Sequence, residues 1–463
     1  MSGAGSPKIE STAALLHTIL AAGATHATNT ELAKRANLSP RSVDNVLKYL
    51  RERDLVRTPP ARLGAGWGAV LSISLGAAGC RAGLVDANGT VFHEHSEPSL
   101  PDQTKLPPDS LLKRIVRAGH RVIETAYREG DLLVDGQLPV LGVATAWPCP
   151  VRGSKRVVGS VLHRDWLAYD PPLLTHAVAD AFGIDRKRSH ALNRGNAHAL
   201  AIAFDSARQR PDLRDHSEVA FYLRLGGGIG FSTMILNPGK EGRLSFVDSA
   251  LIGGARNMAG QLAHVSVSPS LVDELNERGR LCSGLAPLSL DSPCSCGQPG
   301  HLEALAGGAA FLKRMKASGV AHPEEMVGTT NDLTDALAAF DLQDERVRYA
   351  LEDIGRLVGR ALVAPVLVLD PSVLTLSGSF AVPLVIQGVL AERETWRHSF
   401  GDGLTINDID GSDSAYLGVR GAALAVHRAL VYRRFEELIA ADPTAEGLTM
   451  TWPEPRALAS ATH

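Results

Sequence analysis

The chain has 463 residues, 44 % of them hydrophobic and 21 % charged, with a formal net charge of -3. That length exceeds one small domain and can bury a large core, and the balance is that of a soluble globular protein. No run is long enough to span a membrane, and no basic-then-apolar signal peptide stands at the N-terminus, so a membrane protein is not expected. Five cysteines, scattered apart from Cys294 and Cys296, predict a reducing cytoplasm rather than a disulfide framework.

Residues 11–22 read as a first helix with Leu15, Leu16, Ile19 and Leu20 on an apolar side. Thr28 and Glu31 form a capping box that opens a second helix over 29–36. After a turn at Asn37-Leu38, Ser39 caps a third helix, with Pro40 at its first position. There Val43, Val46, Leu47 and Leu50 recur at helical spacing and face a core, leaving Arg41, Ser42, Asn45 and Lys48 on the opposite side. Residues 55–58 read as the first strand of a wing, with Pro59-Pro60 and residues 64–68 as wing tip and linker. This is the layout of a winged helix-turn-helix. Its basic residues (Lys34, Arg35, Arg41, Lys48, Arg51, Arg53, Arg57, Arg62) outnumber its acids (Glu31, Asp44, Glu52, Asp54), which suits phosphate contacts with DNA. The candidate DNA-binding residues are Ser39, Arg41, Ser42, Asn45, Lys48 and Arg57; the alternative is a small protein-interaction module with a solvated face.

From Ala69 the pattern changes to strands at 70–75, 81–85 and 90–94, the last two joined by Asp86-Ala87-Asn88-Gly89, where Asn-Gly favours a type I′ hairpin turn. A strand over 219–223 leads into Leu225-Gly226-Gly227-Gly228-Ile229-Gly230-Phe231, a loop that serves either a phosphate or a tight turn. A helical piece at 271–279 and a Pro/Ser loop follow, and a closing helix is predicted over 419–432. The tail beyond it, with Pro443, Pro453 and Pro455, has little core-forming content and is expected to be mobile.

The densest chemistry lies in Cys294-Ser295-Cys296-Gly297-Gln298-Pro299-Gly300-His301-Leu302-Glu303. Two thiols and an imidazole fall within eight residues, and a structural zinc site takes four such ligands. His264, closing Gly260-Gln261-Leu262-Ala263-His264, is the candidate fourth. The alternative is a surface turn with two free thiols and an exposed His.

Together these runs resemble the signature of the ROK family (repressors, unassigned reading frames, sugar kinases), which carries Gly-Glu-x-Gly-His followed by Cys-x-Cys-Gly-x-x-Gly-Cys-x-Glu. Gln261 and Ala263 replace the Glu and the second Gly, and His301 replaces the third Cys, turning a Cys3His set into Cys2His2. The strand opening at 70 resembles the start of the sugar-kinase/actin ATPase fold. Ser74-Leu75-Gly76-Ala77-Ala78 stands where family kinases carry Asp-x-Gly-Gly-Thr, and Ala146-Trp147-Pro148 where the family has a Pro-Gly turn. Asn193-Arg194-Gly195-Asn196 matches Asn-Asp-Ala-Asn, whose Asp is the kinases' general base. The Gly226–Gly230 loop resembles Gly-Thr-Gly-Ile-Gly, and 370–379 resembles Asp-Pro-x-x-Ile-x-x-Gly-Gly with Ser379 at the end.

The resemblance implies an α/β protein: an N-terminal winged helix-turn-helix (1–68), a two-lobed sugar-kinase/actin-like domain with a zinc-bound loop (69–436), and a C-terminal tail (437–463). It implies a sugar site lined by Asn193, Arg194, Gln261, His264 and Glu303, and one Zn2+ per chain on His264, Cys294, Cys296 and His301. A guanidinium at Arg194 cannot accept a proton at neutral pH, and Ser74 and Ala78 also depart from the kinase pattern, which argues against phosphoryl transfer. The expected protein is a sugar- or sugar-phosphate-responsive repressor that binds an imperfect inverted repeat of operator DNA as a homodimer or homotetramer. Two readings remain beside it: control by a partner protein or a non-sugar ligand, and an active sugar kinase with an added DNA-binding domain. At Arg194 the exchange favours an anionic sugar; alternatively Arg194 folds onto Asp205.

Overall fold

The computed structural model describes residues 28–52, 55–57, 62–63, 67–76, 79–98, 106–130, 138–151, 170–209, 216–238, 249–255, 257–320, 340–395, 404–409 and 416–440, with Leu15, Thr18, Ile19, Phe246 and Leu337 besides. Most of the predicted first helix, Ala77 and Ala78, the Pro59-Pro60 wing tip and everything beyond Ala440 lie outside these residues.

The N-terminal unit follows its local signals. Helix α1 (Asn29–Arg35) starts on the predicted capping box: Thr28 Oγ1 accepts from Glu31 N, and Glu31 accepts from Thr28 N at 2.7 Å. Asn37 takes the left-handed conformation (φ 53°) that ends it. Helix α2 (Pro40–Arg51) is capped by Ser39, whose Oγ accepts from Ser42 N at 3.1 Å. Val43, Val46, Leu47 and Leu50 are buried together with Leu15, Ile19 and Leu32. Strands β1 (Val56–Arg57) and β2 (Arg62–Leu63) pair antiparallel as a short wing.

Two five-stranded sheets make up the rest. The first contains β3 (Ala69–Gly76), β4 (Gly79–Asp86), β5 (Val91–Pro98), β6 (Val140–Trp147) and β7 (Ser189–Asn193) in the order β5-β4-β3-β6-β7. The second contains β8 (Glu218–Leu225), β9 (Ile229–Leu236), β10 (Ala250–Leu251), β11 (Val373–Ser377) and β12 (Thr405–Asp408) in the order β10-β9-β8-β11-β12. Each sheet opens with an antiparallel meander and closes with parallel strands, so one topology is used twice. β3 is buried along nearly its whole length because both its faces are covered.

Helices α3 (Pro108–Glu129) and α4 (Pro171–Ala181) pack on the first sheet. Helix α5 (Arg194–Gln209) follows β7 directly and lies against the closing helix α11 (Leu417–Ala440). That approach is close enough that a Cβ at Gly421 would strike the Ala197 carbonyl. In the second lobe lie α6 (Pro269–Gly279), α7 (Leu302–Ala306), α8 (Gly308–Ala317), α9 (Glu345–Leu369) and α10 (Pro383–Thr395). α6 is the piece inserted between the two signature runs. Its Arg278 donates to Glu352 and Asp353 of α9, both at 2.7 Å, while Arg314 of α8 holds the other oxygen of Asp353 at 2.8 Å. The insertion is thus anchored to the lobe by a buried carboxylate shared between two guanidiniums.

Three local expectations change. The 86–90 turn is not type I′, which needs positive φ at both central residues: Gly89 has φ 77°, but Asn88 does not. Instead Asp86 Oδ1 accepts from Asn88 N and Thr90 N, and Asp86 O accepts from Gly89 N, so the aspartate side chain sets the turn. The Asp-Pro run at 370 is a helix-to-strand corner, with Asp370 in the left-handed conformation (φ 45°) after α9. The closing helix runs to Ala440 rather than Tyr432.

His427 on α11 is buried, and its Nε2 lies 2.9 Å from the Val85 carbonyl, to which it donates. Burial holds its imidazole below the usual range, against the opposing pull of the Val85 carbonyl and Asp86. The unfolded chain therefore takes up the proton first, at about pH 6.5. Stability is present above that pH and falls as pH drops toward the folded-state value, by up to about 1.4 kcal/mol per pH unit. His427→Gln, which keeps an N–H for Val85, is expected to flatten the melting temperature between pH 6.5 and 5.5 relative to wild type; parallel curves for the two proteins would contradict this.

Candidate functional site

The first four residues of β9 are where the separate signature runs meet. Ile229 N donates to Glu303 Oε2 at 3.1 Å, and the other oxygen of Glu303 accepts from Ser295 Oγ at 2.8 Å. A Cβ at Gly260 would strike the Phe231 carbonyl, and one at Gly195 would lie 4.0 Å from the same oxygen. Ser232 Oγ donates to Asn196 Oδ1 at 3.0 Å. The Asn193 run, the Gly260-Gln261 turn and Glu303 therefore converge on one strand end. Asn193 is further fixed by donating to the Cys149 carbonyl at 3.1 Å while its Oδ1 accepts from Asn196 N.

Arg194 opens α5. Its Nη1 donates to the Leu75 carbonyl at 3.2 Å and lies against Gly76, leaving no room for a side chain there. Burial pulls Arg194 down to about 9, and Arg224 and Arg81 add to the effect. It does not fold onto Asp205, whose two oxygens are taken by Arg420.

The thiol and imidazole residues form one cluster. His264, Cys294, Cys296 and His301 each bring a ligand atom within 4.8 Å of the others. His264 Nδ1 is 3.3 Å from Cys294 Sγ, and His301 Nδ1 is 3.1 Å from Cys296 Sγ. Both thiols are buried. The turn between them closes through Gly297 N donating to Cys294 O and Cys294 N donating to Gln298 O, with Gly297 and Gly300 at φ 88° and 70°. An isolated bridge between Ser266 and His301 brings the upstream His alongside the downstream run. Burial, with help from Glu303, raises the Cys294 thiol above its usual range, a cost that a coordinated cation removes by holding the thiolate. The donor set, its spacing and its burial fit a tetrahedral metal site. Cys80 and Cys149, pushed up to about 12 by burial, are inert by comparison.

On the N-terminal unit Arg41, Asn45 and Lys48 are exposed along one face of α2, with Ser42 half-buried beside them. Ser39 is occupied as the cap, and its hydroxyl also lies 2.8 Å from that of Ser42. Asp44 is not turned to that face: Asn29 Nδ2 donates to it at 2.6 Å, tying α1 to α2. The Arg57 side chain lies outside the described residues.

Sequence reasoning missed Asn257, which takes φ 51° and donates to the Val151 carbonyl at 2.7 Å, so that it and Asn193 hold the 149–151 segment from two sides. It also missed Arg81, His198 and Arg224. No spacing signal links these residues, since they come from different elements of the two lobes.

No helix among the described residues is long and apolar enough to cross a membrane. Among solved structures the chain is similar to a ROK family transcriptional regulator described as a homolog of the E. coli MLC protein, at 17 % identity and a TM-score of 0.60, covering 93 % of this chain and 99 % of that one. It is also similar to a ROK hexokinase from Thermus thermophilus (20 % identity, TM-score 0.50, 79 % and 99 % covered). A ROK family glucokinase from Streptomyces griseus, solved with glucose and AMPPNP, gives 17 % identity, a TM-score of 0.50, and 77 % and 98 % coverage. At these identities the likeness is one of fold. No curated protein sequence matches the chain. The ROK family profile matches residues 70–428, which is most of the length and contains both sheets, the glycine turns and the Cys/His cluster: the chain belongs to the ROK family.

Proposed function

We propose that the protein is a DNA-binding transcriptional regulator, a repressor, whose operator binding is modulated by a sugar or sugar phosphate held in a ROK domain that does not catalyse phosphoryl transfer. The observation that carries this reading is the face of α2. Arg41, Asn45 and Lys48 project from a helix whose opposite side is buried, in a helix-turn-helix joined to a sugar-kinase-like core. We divide the chain into a DNA-binding unit (1–68), the ROK domain (69–436) and a tail (437–463), acting in the cytoplasm as a homodimer or homotetramer on an imperfect inverted repeat.

Loss of kinase chemistry is supported by Arg194, since a cation at the base position cannot take a proton from a sugar hydroxyl. Asn193, Arg194, Gln261, His264 and Glu303 would receive the effector. The metal is zinc, on His264, Cys294, Cys296 and His301, where it serves as a structural ion. With Nδ1 of His264 on the metal, its tautomer is fixed and Nε2 is left for a sugar hydroxyl. Incubation of the purified protein with ATP and a panel of hexoses is expected to yield no sugar phosphate; turnover above the no-sugar background would restore the kinase reading.

Zinc analysis of protein purified without chelator is expected to give about one equivalent per chain, and Cys294→Ser to lose most of it with a lowered melting temperature. A wild-type protein free of zinc would overturn the assignment. Asn45→Ala is expected to weaken operator binding by about 1–3 kcal/mol, the worth of a bidentate base contact, with little change on random DNA. Equal losses on both would show that Asn45 touches only phosphate.

A further inference from the structure

Ser295 stands between the two clustered thiols, and the metal-ligand set does not use it. The four candidate donors are His264, Cys294, Cys296 and His301, none of which needs a hydroxyl beside it. The residue is exposed, yet its side chain is engaged. Its Oγ donates to Glu303 Oε1 at 2.8 Å and lies 3.8 Å from Cys294 Sγ.

Glu303 is tied to the same cluster in a second way. It lies on the first turn of α7, two residues after His301, which caps that helix. Leu302 N, between them, donates at 2.9 Å to the carbonyl of Val265, the residue after His264. His301 therefore fixes the backbone from which Glu303 projects, and Ser295 fixes its carboxylate end. The surrounding backbone leaves little room for another placement. A Cβ at Gly228 would meet Oε2, and one at Gly307 would lie 3.3 Å from Glu303 Cγ. Among the described residues the carboxylate has no cationic partner. Its donors are the Ser295 hydroxyl and the Ile229 amide, one to each oxygen. A carboxylate held at only one oxygen regains rotamer freedom, which weakens the hydrogen bond that remains.

The direction of the Ser295 hydroxyl depends on the side chains next to it. With both flanking cysteines held on one ion, the backbone on either side of Ser295 is fixed, and a single rotor decides where its hydroxyl points. A sulfur whose electron pair is given to a metal competes less for the hydroxyl proton, which leaves Glu303 as the acceptor. We propose that Ser295 is a positioning residue that couples metal binding at the Cys/His cluster to the strand end of the candidate ligand site. It aims Glu303, and Glu303 holds the Ile229 amide at the start of β9, where the Asn193 run and the Gly260 turn converge. This rests on the reading of the cluster as a zinc site and of Glu303 as an effector residue. It adds that the effector site takes its ordered form only in the metal-loaded protein.

The test is hydrogen exchange of the full chain, read at the Ile229 amide, with zinc loaded and after chelation, in wild type, Ser295→Ala and Ser295→Thr. Metal analysis gives the zinc content of each sample, and strand β3 is the reference for general unfolding. In wild type, chelation is expected to speed exchange at Ile229 about tenfold with β3 unchanged, the scale of one hydrogen bond to a charged group. Ser295→Ala is expected to keep its zinc, to exchange at Ile229 as fast as chelated wild type, and to change by less than about twofold on chelation. Ser295→Thr, which keeps the hydroxyl, is expected to behave as wild type. The proposal is overturned if zinc-loaded Ser295→Ala exchanges at Ile229 like loaded wild type, or if β3 follows Ile229 to the same degree. It is overturned too if Ser295→Ala loses its zinc, since the hydroxyl would then serve the metal site itself. Metal analysis separates this failure from that of the zinc reading: wild type that takes up no zinc overturns both, whereas loaded wild type that does not respond to chelation overturns the proposal alone. The measurement uses zinc and protein only, so a ROK domain that binds no sugar leaves it standing.

Discussion

The carboxylate of Glu303 holds the centre of this molecule together. One oxygen accepts from the backbone of Ile229 at the second glycine turn, the other from Ser295 between the two clustered thiols. The Cys/His loop and the glycine turn are far apart in sequence, and besides Glu303 they are tied by Gly308 N and Ala309 N, which donate to the Gly226 and Gly227 carbonyls just downstream of the loop. A half-buried carboxylate left with one partner would carry an unmet acceptor, so the two loops hold each other in place. Gly228 adds a steric condition, because any side chain there would displace the carboxylate. A metal ion held by the loop would therefore also order the strand end on which the Asn193 run and the Gly260 turn converge.

The same strand end belongs to a lobe whose insertion is held by buried charge. Asp353, fully buried, receives Arg278 from α6 and Arg314 from α8. Removing either guanidinium would leave a carboxylate partly unpaired in a dry core, which costs more than the pair contributes. The ion pairs are thus better understood as fixing where α6 sits than as a source of stability, and α6 stands upstream of the loop that carries the Cys/His turn.

The N-terminal helix-turn-helix is not separate from this core. Leu32, Val43, Leu47 and Val56 belong to the same apolar cluster as Trp67, Val70 and Val85 of the first sheet and Val419, Ala422 and Val426 of α11. α11 is the helix that meets α5 through Gly421 and faces His198 through Gly418. The start of α5, where Arg194 sits, is thus packed closely against a helix that shares an apolar cluster with the helix-turn-helix. Glycine at both contacts leaves no side chain of α11 between the two helices.

The sequence by itself determined the features that depend on neighbours within a few residues. The capping box at Thr28, the Ser39 cap, the buried side of α2 and the four metal-ligand types were legible because helix periodicity and ligand chemistry are local. The departures at Ser74 and Arg194 were legible because flanking residues keep the family pattern around them. Tertiary structure decided what depends on side chains meeting across long separations. Asn-Gly favoured one turn, but Asp86, hydrogen-bonding forward to Asn88 and Thr90, imposed another. Asp205 looked available to Arg194, but Arg420 lies closer and takes it. Arg81, His198 and Arg224 carry no shared spacing, and their common position arises only when the first sheet, α5 and the second sheet are folded against one another. They act on one another there because Coulombic interaction follows distance in space, which a chain of single letters does not record.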